Sequence, residues 1–412
     1  MTKKTKGKIA SFFRHIFFFL FRLFLTPYVM LVQNVRFKRN GYKIPKRPCL
    51  FLSNHQTNWD PIYMEVMFPT RIIHILAHDE LFQNRLFSFI AKNFLGAIRR
   101  GEGQNDLSAI KKLFDYKKMD RDLCIFPEGD LNIWGRAFPL DDNIAKLVKK
   151  LGMSIVFLKI KGAHIRSPRW GTMPRRSKII YEVENVLSPD EVKAISVPDM
   201  HQLIIKHISY NDYAYAWSEG VKVACPRKRA ERLEYGLFYC PNCGAVSSLA
   251  SDNNTFYCAK CNATALLTRD YHFRSDCEAI PDNPVAWADL QQSKIPELCD
   301  RVKVGEPIFI SKKIRLYTAT RKDFFKKYTV GTAKLYHDRV EHKDRHGYTT
   351  VIKFEDTVKI LLAYKGTMEL KCEHVKFRLN RKTPLWSGYT WVEFANYMKE
   401  NADKYLIDKA EE

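Results

Sequence analysis

Cys49-Leu-Phe-Leu52, running almost directly into Asn54-His55-Gln-Thr-Asn-Trp59-Asp60-Pro61, is the stretch that decides how this chain is read. A short apolar run bounded by polar residues predicts a buried strand. Asp followed by Pro predicts a helix start, with Asp60 as N-cap and Pro61 at the first helical position. His55 therefore falls in the strand-to-helix loop. On one continuous helix, residues five apart would diverge by roughly 140°. In a loop folded over the helix start, Asp60 can instead accept from one imidazole nitrogen and leave the other free as a base, the arrangement used to activate a hydroxyl. A lone His-four-residues-Asp spacing carries little weight in a chain with 12 His, so its surroundings matter.

Working outward, the same alternation continues. Ile72–Leu76, Leu123–Phe126, Ile155–Ile160 and Ile179–Val183 read as strands; Glu80–Phe94, Leu107–Met119, Asn143–Leu151 and Met200–Ser218 read as helices. The fold class is α/β, a mostly parallel sheet flanked by helices. Beyond it lie a basic segment at Cys225-Pro-Arg-Lys-Arg229, a cysteine-bearing stretch, and a second linker punctuated by Pro281, Pro284 and Pro296. Short β-rich runs then recur from Pro307, with turns at Lys343–Gly347 and Lys365-Gly366, and a helical pattern from Tyr389 to Tyr405 closes the chain. The expected division is an anchor over 1–35, the α/β domain over 36–220, a zinc ribbon over 230–275 and a small β-rich domain over 300–410. Several short strands capped by one amphipathic helix resemble a pleckstrin-homology-type barrel.

The chain has 412 residues, 46% of them hydrophobic and 27% charged, a globular composition too long for one ordinary domain. It carries 68 Lys plus Arg against 45 Asp plus Glu, a formal charge of +23, which points to phosphate in lipid, nucleic acid or substrate. No acid precedes Asp60. Inside that basic stretch lie Ile16–Leu25 and Tyr28–Val32, both strongly apolar. A secretory signal lacks its small-residue cleavage site here. A spanning helix is interrupted by Arg22 and Pro27. A helix lying in the membrane interface suits the pattern: Lys4, Lys8, Ser11, His15 and Arg22 fall on one stripe opposite the Phe-rich face. The basic stripe would meet anionic lipids on the cytoplasmic face of the cell membrane; a spanning or buried core helix remains the alternative.

Cys240-Pro-Asn-Cys243 and Cys258-Ala-Lys-Cys261 have the spacing of two knuckles around one structural, tetrahedral Zn²⁺. Gly244 supplies a tight turn after the first. The other six cysteines read as scattered, reduced residues, which implies a reducing compartment.

Two further blocks follow His55 in the sequence. Gly96-Ala-Ile-Arg99-Arg100 ends a helical pattern, where two cations suit either a phosphate or a solvated helix end. Phe126-Pro-Glu128-Gly129-Asp130 follows a strand end, at the edge where α/β sites are built. In this order, with the later strand Ser154–Ile160, these blocks resemble the glycerolipid acyltransferases, the 1-acylglycerol-3-phosphate acyltransferase family of bacterial type, over about residues 30–215. The resemblance implies an enzyme that moves a fatty acyl group from acyl-CoA or acyl carrier protein to the hydroxyl of lysophosphatidate, forming phosphatidate. It implies His55 as general base, Asp60 as its orienter, Arg99 or Arg100 on the acceptor phosphate, and Glu128 with Gly129 shaping the acceptor pocket. Asp130 stands where Thr or Ser is usual, Asn132 where an Arg often follows, and the fourth block lacks its proline. These departures bear on the acceptor, so another lysophospholipid or lipid acceptor is the alternative.

His74, His78 and Asp79 lie on a strand and its exit, where a structural role is expected over a metal. Arg166, Arg169, Arg175 and Arg176 read equally as a phosphate-facing cluster or a basic surface. From a different class, a zinc-ribbon nucleic-acid binder would also use the net charge. The densest cations are fused to the Phe-rich segment, however, so lipid is the expected partner and nucleic acid is not.

Overall fold

The computed structural model describes residues 23–77, 96–99, 107–320, 327–363, 366–381 and 386–406, with positions 82, 88, 91 and 325. Arg100, His78, Asp79 and the candidate interface helix up to Arg22 lie outside the described residues, as does most of the predicted helix Glu80–Phe94. The chain forms two compact units: the first closes at Cys225, the second begins at Pro226 and also takes Trp170–Thr172.

Seven strands build the first unit's sheet: β1 (Val35–Lys38), β2 (Cys49–Ser53), β3 (Ile73–Ala77), β4 (Ile98–Arg99), β5 (Asp122–Ile125), β6 (Ser154–Lys161) and β7 (Ile179–Leu187). Their order is β1-β7-β6-β2-β5-β3-β4. Every neighbouring pair is parallel except β6 with β7. The helices are α1 (Asp60–Met67), α2 (Leu107–Lys118), α3 (Asn143–Leu151), α4 (Ala163–Arg166), α5 (Pro189–Ala194), α6 (Val197–Ile208) and α7 (Asp212–Ser218).

Strand β2 is apolar over Cys49–Leu52 because both of its faces are covered. Cys49 and Phe51 pack with Tyr63 and Met64 of α1 on one side. Leu50 and Leu52 pack with Val148, Leu151 and Ile204 of α3 and α6 on the other. Burying each such aliphatic or aromatic side chain stabilises by roughly 1.5–3 kcal/mol. Helix α3 has the predicted bounds and stops where Gly152 turns left-handed at φ +54. The predicted helix Met200–Ser218 is two helices, because Asn211 accepts from the amides of Tyr213 and Ala214 and starts α7 afresh. Strands β1 and β4 add edges that the apolar runs did not announce.

The second unit carries an antiparallel four-stranded sheet, β8 (Leu249–Asp252), β9 (Thr255–Cys258), β10 (Thr264–Leu267) and β11 (Phe273–Arg274). The segment read as a proline-punctuated linker is instead α8 (Pro284–Asp300). Pro284 sits at its N-terminus, where no amide is needed, Asn283 caps it, and Pro296 is tolerated inside. Gln291 on α8 bonds both Gly236 O and Phe238 N, and Trp287 donates to Tyr239 O. Seven antiparallel strands follow: β12 (Phe309–Thr320), β13 (Tyr328–Leu335), β14 (Arg339–Asp344), β15 (Thr349–Lys353), β16 (Thr357–Ala363), β17 (Thr367–Cys372) and β18 (Val375–Asn380). Their order is β15-β14-β13-β12-β18-β17-β16. The closing pattern divides at Asn401 into α9 (Gly388–Glu400) and α10 (Ala402–Leu406). One core joins Phe238, Ile295 of α8, Leu316, Leu370 and Trp391.

Among the described residues no helix is long and apolar enough to cross a membrane. Helical residues 23–27 lead into a π-helical turn, Tyr28–Val32, and Leu23, Phe24, Leu31 and Val32 are exposed.

Candidate active site

His55 leaves the carboxyl end of β2 and Glu128 lies just past the end of its parallel neighbour β5. Carboxyl ends of parallel strands are where α/β folds place their sites. His55 Nδ1 lies 2.9 Å from Asp60 Oδ2. The same oxygen accepts the amides of Gln56 at 2.6 Å and Thr57 at 2.9 Å, while Oδ1 accepts the Thr57 hydroxyl at 2.7 Å. Asp60 is completely buried. Two backbone amides can only donate, so the carboxylate is an acceptor on this side and Nδ1 carries a proton toward it. That tautomer leaves Nε2 with its lone pair, and the imidazole is 19% exposed.

Asp60 is not the N-cap expected from the sequence. Trp59 occupies that place without a side-chain bond, and Asp60 is the first residue of α1. Its carboxylate turns back to gather the loop amides, because those amides and the imidazole offer more hydrogen bonds than the helix start alone.

Glu128 stands on the other side of the histidine. Its Oε1 accepts the His55 amide at 2.8 Å and its Oε2 the Phe138 amide at 3.3 Å. Burial pushes its carboxyl up to about 8, while those two amides pull it down. Tyr210 donates to His55 O at 3.4 Å, and burial raises its phenol. The His55 ring stacks on Phe126, centroids 4.4 Å apart. Gly129 turns left-handed at φ +70, just after Glu128.

Three residues in this frame were not singled out for a role by sequence reasoning. Asn54 exchanges both hydrogen bonds with Ile160, at 2.8 Å to its carbonyl and 2.7 Å from its amide. Gln56 donates to Ile160 O and to Asp212 Oδ1, each at 2.8 Å, and accepts the amides of Ala163 and His164. Asp212, fully buried, also accepts from Gly162 and His164, each at 2.9 Å. Asn54 and Gln56 flank His55 and could have been suspected as polar residues beside a buried strand. Asp212 lies 156 positions from Gln56 and has no local signal.

Arg99 sits on the two-residue edge strand β4, half-buried, and not at a helix end. His74 bonds Gly96 O at 2.9 Å and stacks on Tyr116, which fits its structural reading. Asp130 pairs with Arg169 at 3.6 Å, and Asn132 accepts the Trp134 amide in a tight turn. Arg166 and Arg175 are buried, with Arg166 donating to the carbonyls of Arg175 and Val32, so they form no basic surface.

In the second unit the four Sγ atoms of Cys240, Cys243, Cys258 and Cys261 all lie within 4.8 Å of one another. Cys240 and Cys261 are 3.7 Å apart and Cys243 and Cys258 3.8 Å. Four thiolates around Zn²⁺ at about 2.3 Å would be separated by about 3.8 Å. The two knuckles repeat each other: Gly244 N bonds Cys240 O and Asn262 N bonds Cys258 O, each at 2.9 Å, with both turn residues left-handed. The residues can hold one metal ion, and Asn242 and Ser248 hydrogen-bond their sulfurs.

Comparison with known proteins gives partial likenesses. The model of the acyltransferase family matches residues 34–161. A 1-acyl-sn-glycerol-3-phosphate acyltransferase of Streptococcus pneumoniae (strain ATCC BAA-255 / R6) is 34% identical over 93 residues, 22% of this chain and 35% of that protein. The chain thus spans about a third of the length of this curated relative. The structure of the 1-acyl-sn-glycerophosphate acyltransferase PlsC from Thermotoga maritima aligns over 52% of this chain and 97% of that one, at 15% identity and a TM-score of 0.36. The Vps36 N-terminal PH domain aligns over 24% of this chain and 82% of that one, at 16% identity and a TM-score of 0.20.

Proposed function

From the premise that residues 34–161 are an acyltransferase domain, we propose that this protein transfers a fatty acyl group from a CoA or acyl-carrier-protein thioester to the free hydroxyl of lysophosphatidate, yielding phosphatidate for phospholipid synthesis. The observation that carries the reading is the His55–Asp60 pair at 2.9 Å, whose donor pattern leaves Nε2 as a base. His55 Nε2 takes the hydroxyl proton as the oxygen attacks the thioester carbonyl. The C–O bond forms, the C–S bond breaks, and the imidazolium returns its proton to the departing thiolate. Asp60 stabilises the imidazolium and holds the ring, and no covalent acyl-enzyme is required. Arg99 or Arg100 binds the acceptor phosphate, with Glu128 and Gly129 shaping the acceptor pocket.

The four cysteines hold a structural Zn²⁺: all four ligands come from protein, so no position stays open for water or substrate. The N-terminal segment lies on the cytoplasmic face of the membrane, where acyl thioesters and anionic lipids meet; the exposed Leu23, Phe24, Leu31 and Val32 support this. The seven-stranded sheet with its closing helix serves as a pleckstrin-homology-like accessory domain.

Purified full-length protein with labelled acyl-CoA and a set of lysophospholipids tests the activity. Labelled phosphatidate should form from lysophosphatidate, and His55→Ala should lower the rate by about 10² to 10⁴ with the fold retained. Near-normal turnover in that variant would sink the mechanism, and transfer to a different acceptor alone would replace the substrate.

A further inference from the structure

We propose that Asp212 is a positioning residue for His55, acting through the side-chain amide of Gln56; the proposal rests on the reading of His55 as the base.

All four hydrogen-bonding positions of the Gln56 amide are used. Its two N–H groups go to Ile160 O and Asp212 Oδ1, and its oxygen takes the amides of Ala163 and His164. Its backbone amide donates at 2.6 Å to Asp60 Oδ2, the same oxygen that receives His55 Nδ1. Any shift of Gln56 therefore moves both the backbone that carries the imidazole and the amide that competes for its partner.

Asp212 fixes which way the Gln56 amide faces, because a carboxylate can only accept from the NH₂ end. Burying a carboxylate this completely costs several kcal/mol before its partners are counted. Burial pushes the Asp212 carboxyl up to about 6, against the donors from Gly162, Gln56, His164 and Ile165. Three of those donors belong to the turn after β6, which an ordinary capping side chain could satisfy. The remaining one belongs to the residue following His55.

The packing below leaves the clamp little slack. A Cβ on Gly135 would stand 2.4 Å from the His164 ring, and Gly135 O accepts the Asp212 amide at 2.9 Å. His164 is buried, and burial with the nearby Arg175 pushes its imidazole down to about 3, so it remains a neutral packing element.

Asp212→Asn in the full chain keeps the volume and places an NH₂ against one of the facing N–H groups. We expect kcat to fall about tenfold to hundredfold, as for small displacements of a reacting group. Both Michaelis constants should change by less than about threefold, since substrate contacts are untouched. The His55 ring signals, followed by ¹³C NMR of labelled imidazoles and identified with His55→Ala, should shift and broaden as the ring loses its fixed place against Asp60 Oδ2. Asp60, Glu128 and Tyr210 are the ionisable groups hydrogen-bonded to His55 and stay the same in this variant. Gln56→Glu breaks the same bond from the other side and decides the matter if Asp212→Asn fails to fold. The exchange pair Gln56→Glu with Asp212→Asn restores one donor and one carboxylate, and should recover at least about threefold over the worse single variant. Wild-type kcat and His55 ring signals in Asp212→Asn, or an exchange pair no better than the singles, would overturn the clamp. A wild-type protein that transfers no acyl group would instead remove the functional reading, while the His55 ring signals would still decide the clamp.

Discussion

The carboxylate of Glu128 accepts the backbone amide of His55 at 2.8 Å, so the Phe-Pro-Glu-Gly block reaches the histidine through its main chain. Besides the place proposed for it in the acceptor pocket, Glu128 has a structural task. In the structure it braces the loop that carries the imidazole, with its second oxygen on Phe138. One side chain thereby ties the ends of two adjacent parallel strands.

This brace should make stability depend on pH. Burial holds the folded carboxyl near about 8, against an ordinary value of 4.5. Between these values the folded state keeps a proton that the unfolded chain has lost. Stability from this group is therefore full below about 4.5, declines as pH rises toward 8, and is level above. Glu128→Gln removes the titration but sets an NH₂ against one of the two amides, so it starts less stable than wild type at low pH and should gain about 1 kcal/mol or more on it between pH 5 and 8. Urea midpoints at several pH values measure this; a constant gap between the two proteins would show that Glu128 does not titrate there.

Arg100→Ala should raise the Michaelis constant for a phosphorylated acceptor more than for the acyl donor, because a charge-assisted phosphate contact is lost. Arg99→Ala is the comparison, since Arg99 lies on β4. If only Arg99→Ala has the effect, the phosphate contact belongs to the strand residue. If neither does, the acceptor is not a simple phosphate ester.

One Zn²⁺ per chain should be found by elemental analysis of purified protein. Chelation should loosen the β8–β11 sheet first, because a ribbon this small depends on its metal for folding. Acyl transfer should persist at first, as the cysteines lie in the second unit and His55 in the first. First-order loss of transfer on chelation, with the fold intact, would make the metal catalytic; protein free of zinc would end the claim.

Deleting Met1–Thr26 should shift the protein from membranes toward the soluble fraction. Each large apolar side chain withdrawn from the acyl boundary would forfeit on the order of 1.5–3 kcal/mol. Binding of the intact chain should need anionic lipid and weaken in salt, by about 1 kcal/mol per basic residue near the surface. Retention in the pellet through high salt and alkaline carbonate would instead indicate a spanning segment.

Much of the α/β frame was legible because buried parallel strands have no polar face. Cys49–Ser53 and Ser154–Lys161 stand out as apolar runs for that reason. Val35–Lys38 escaped because it alternates apolar with basic residues at the sheet edge. Pro284–Asp300 escaped because prolines were read as breaks, although one opens the helix and the other is carried within it. His55 and Asp60 were readable from their spacing, since the partners are five residues apart. The bonds from Asn54 and Gln56 to Ile160 and Asp212 cross more than a hundred positions, and only the folded sheet brings their ends together.

The paired bonds between Asn54 and Ile160 have a consequence in time as well as in space. The β2–β6 ladder ends with Ser53 opposite Leu158, and the Asn54 side chain adds one more rung in place of main chain. The Ile160 amide proton is thus shielded by a side chain that belongs to the loop. Short of the sheet itself opening, its exchange with deuterium waits on that loop lifting away. A single amide on a neighbouring strand becomes a clock for how often the His55 loop opens, readable in a resting protein with no substrate at hand.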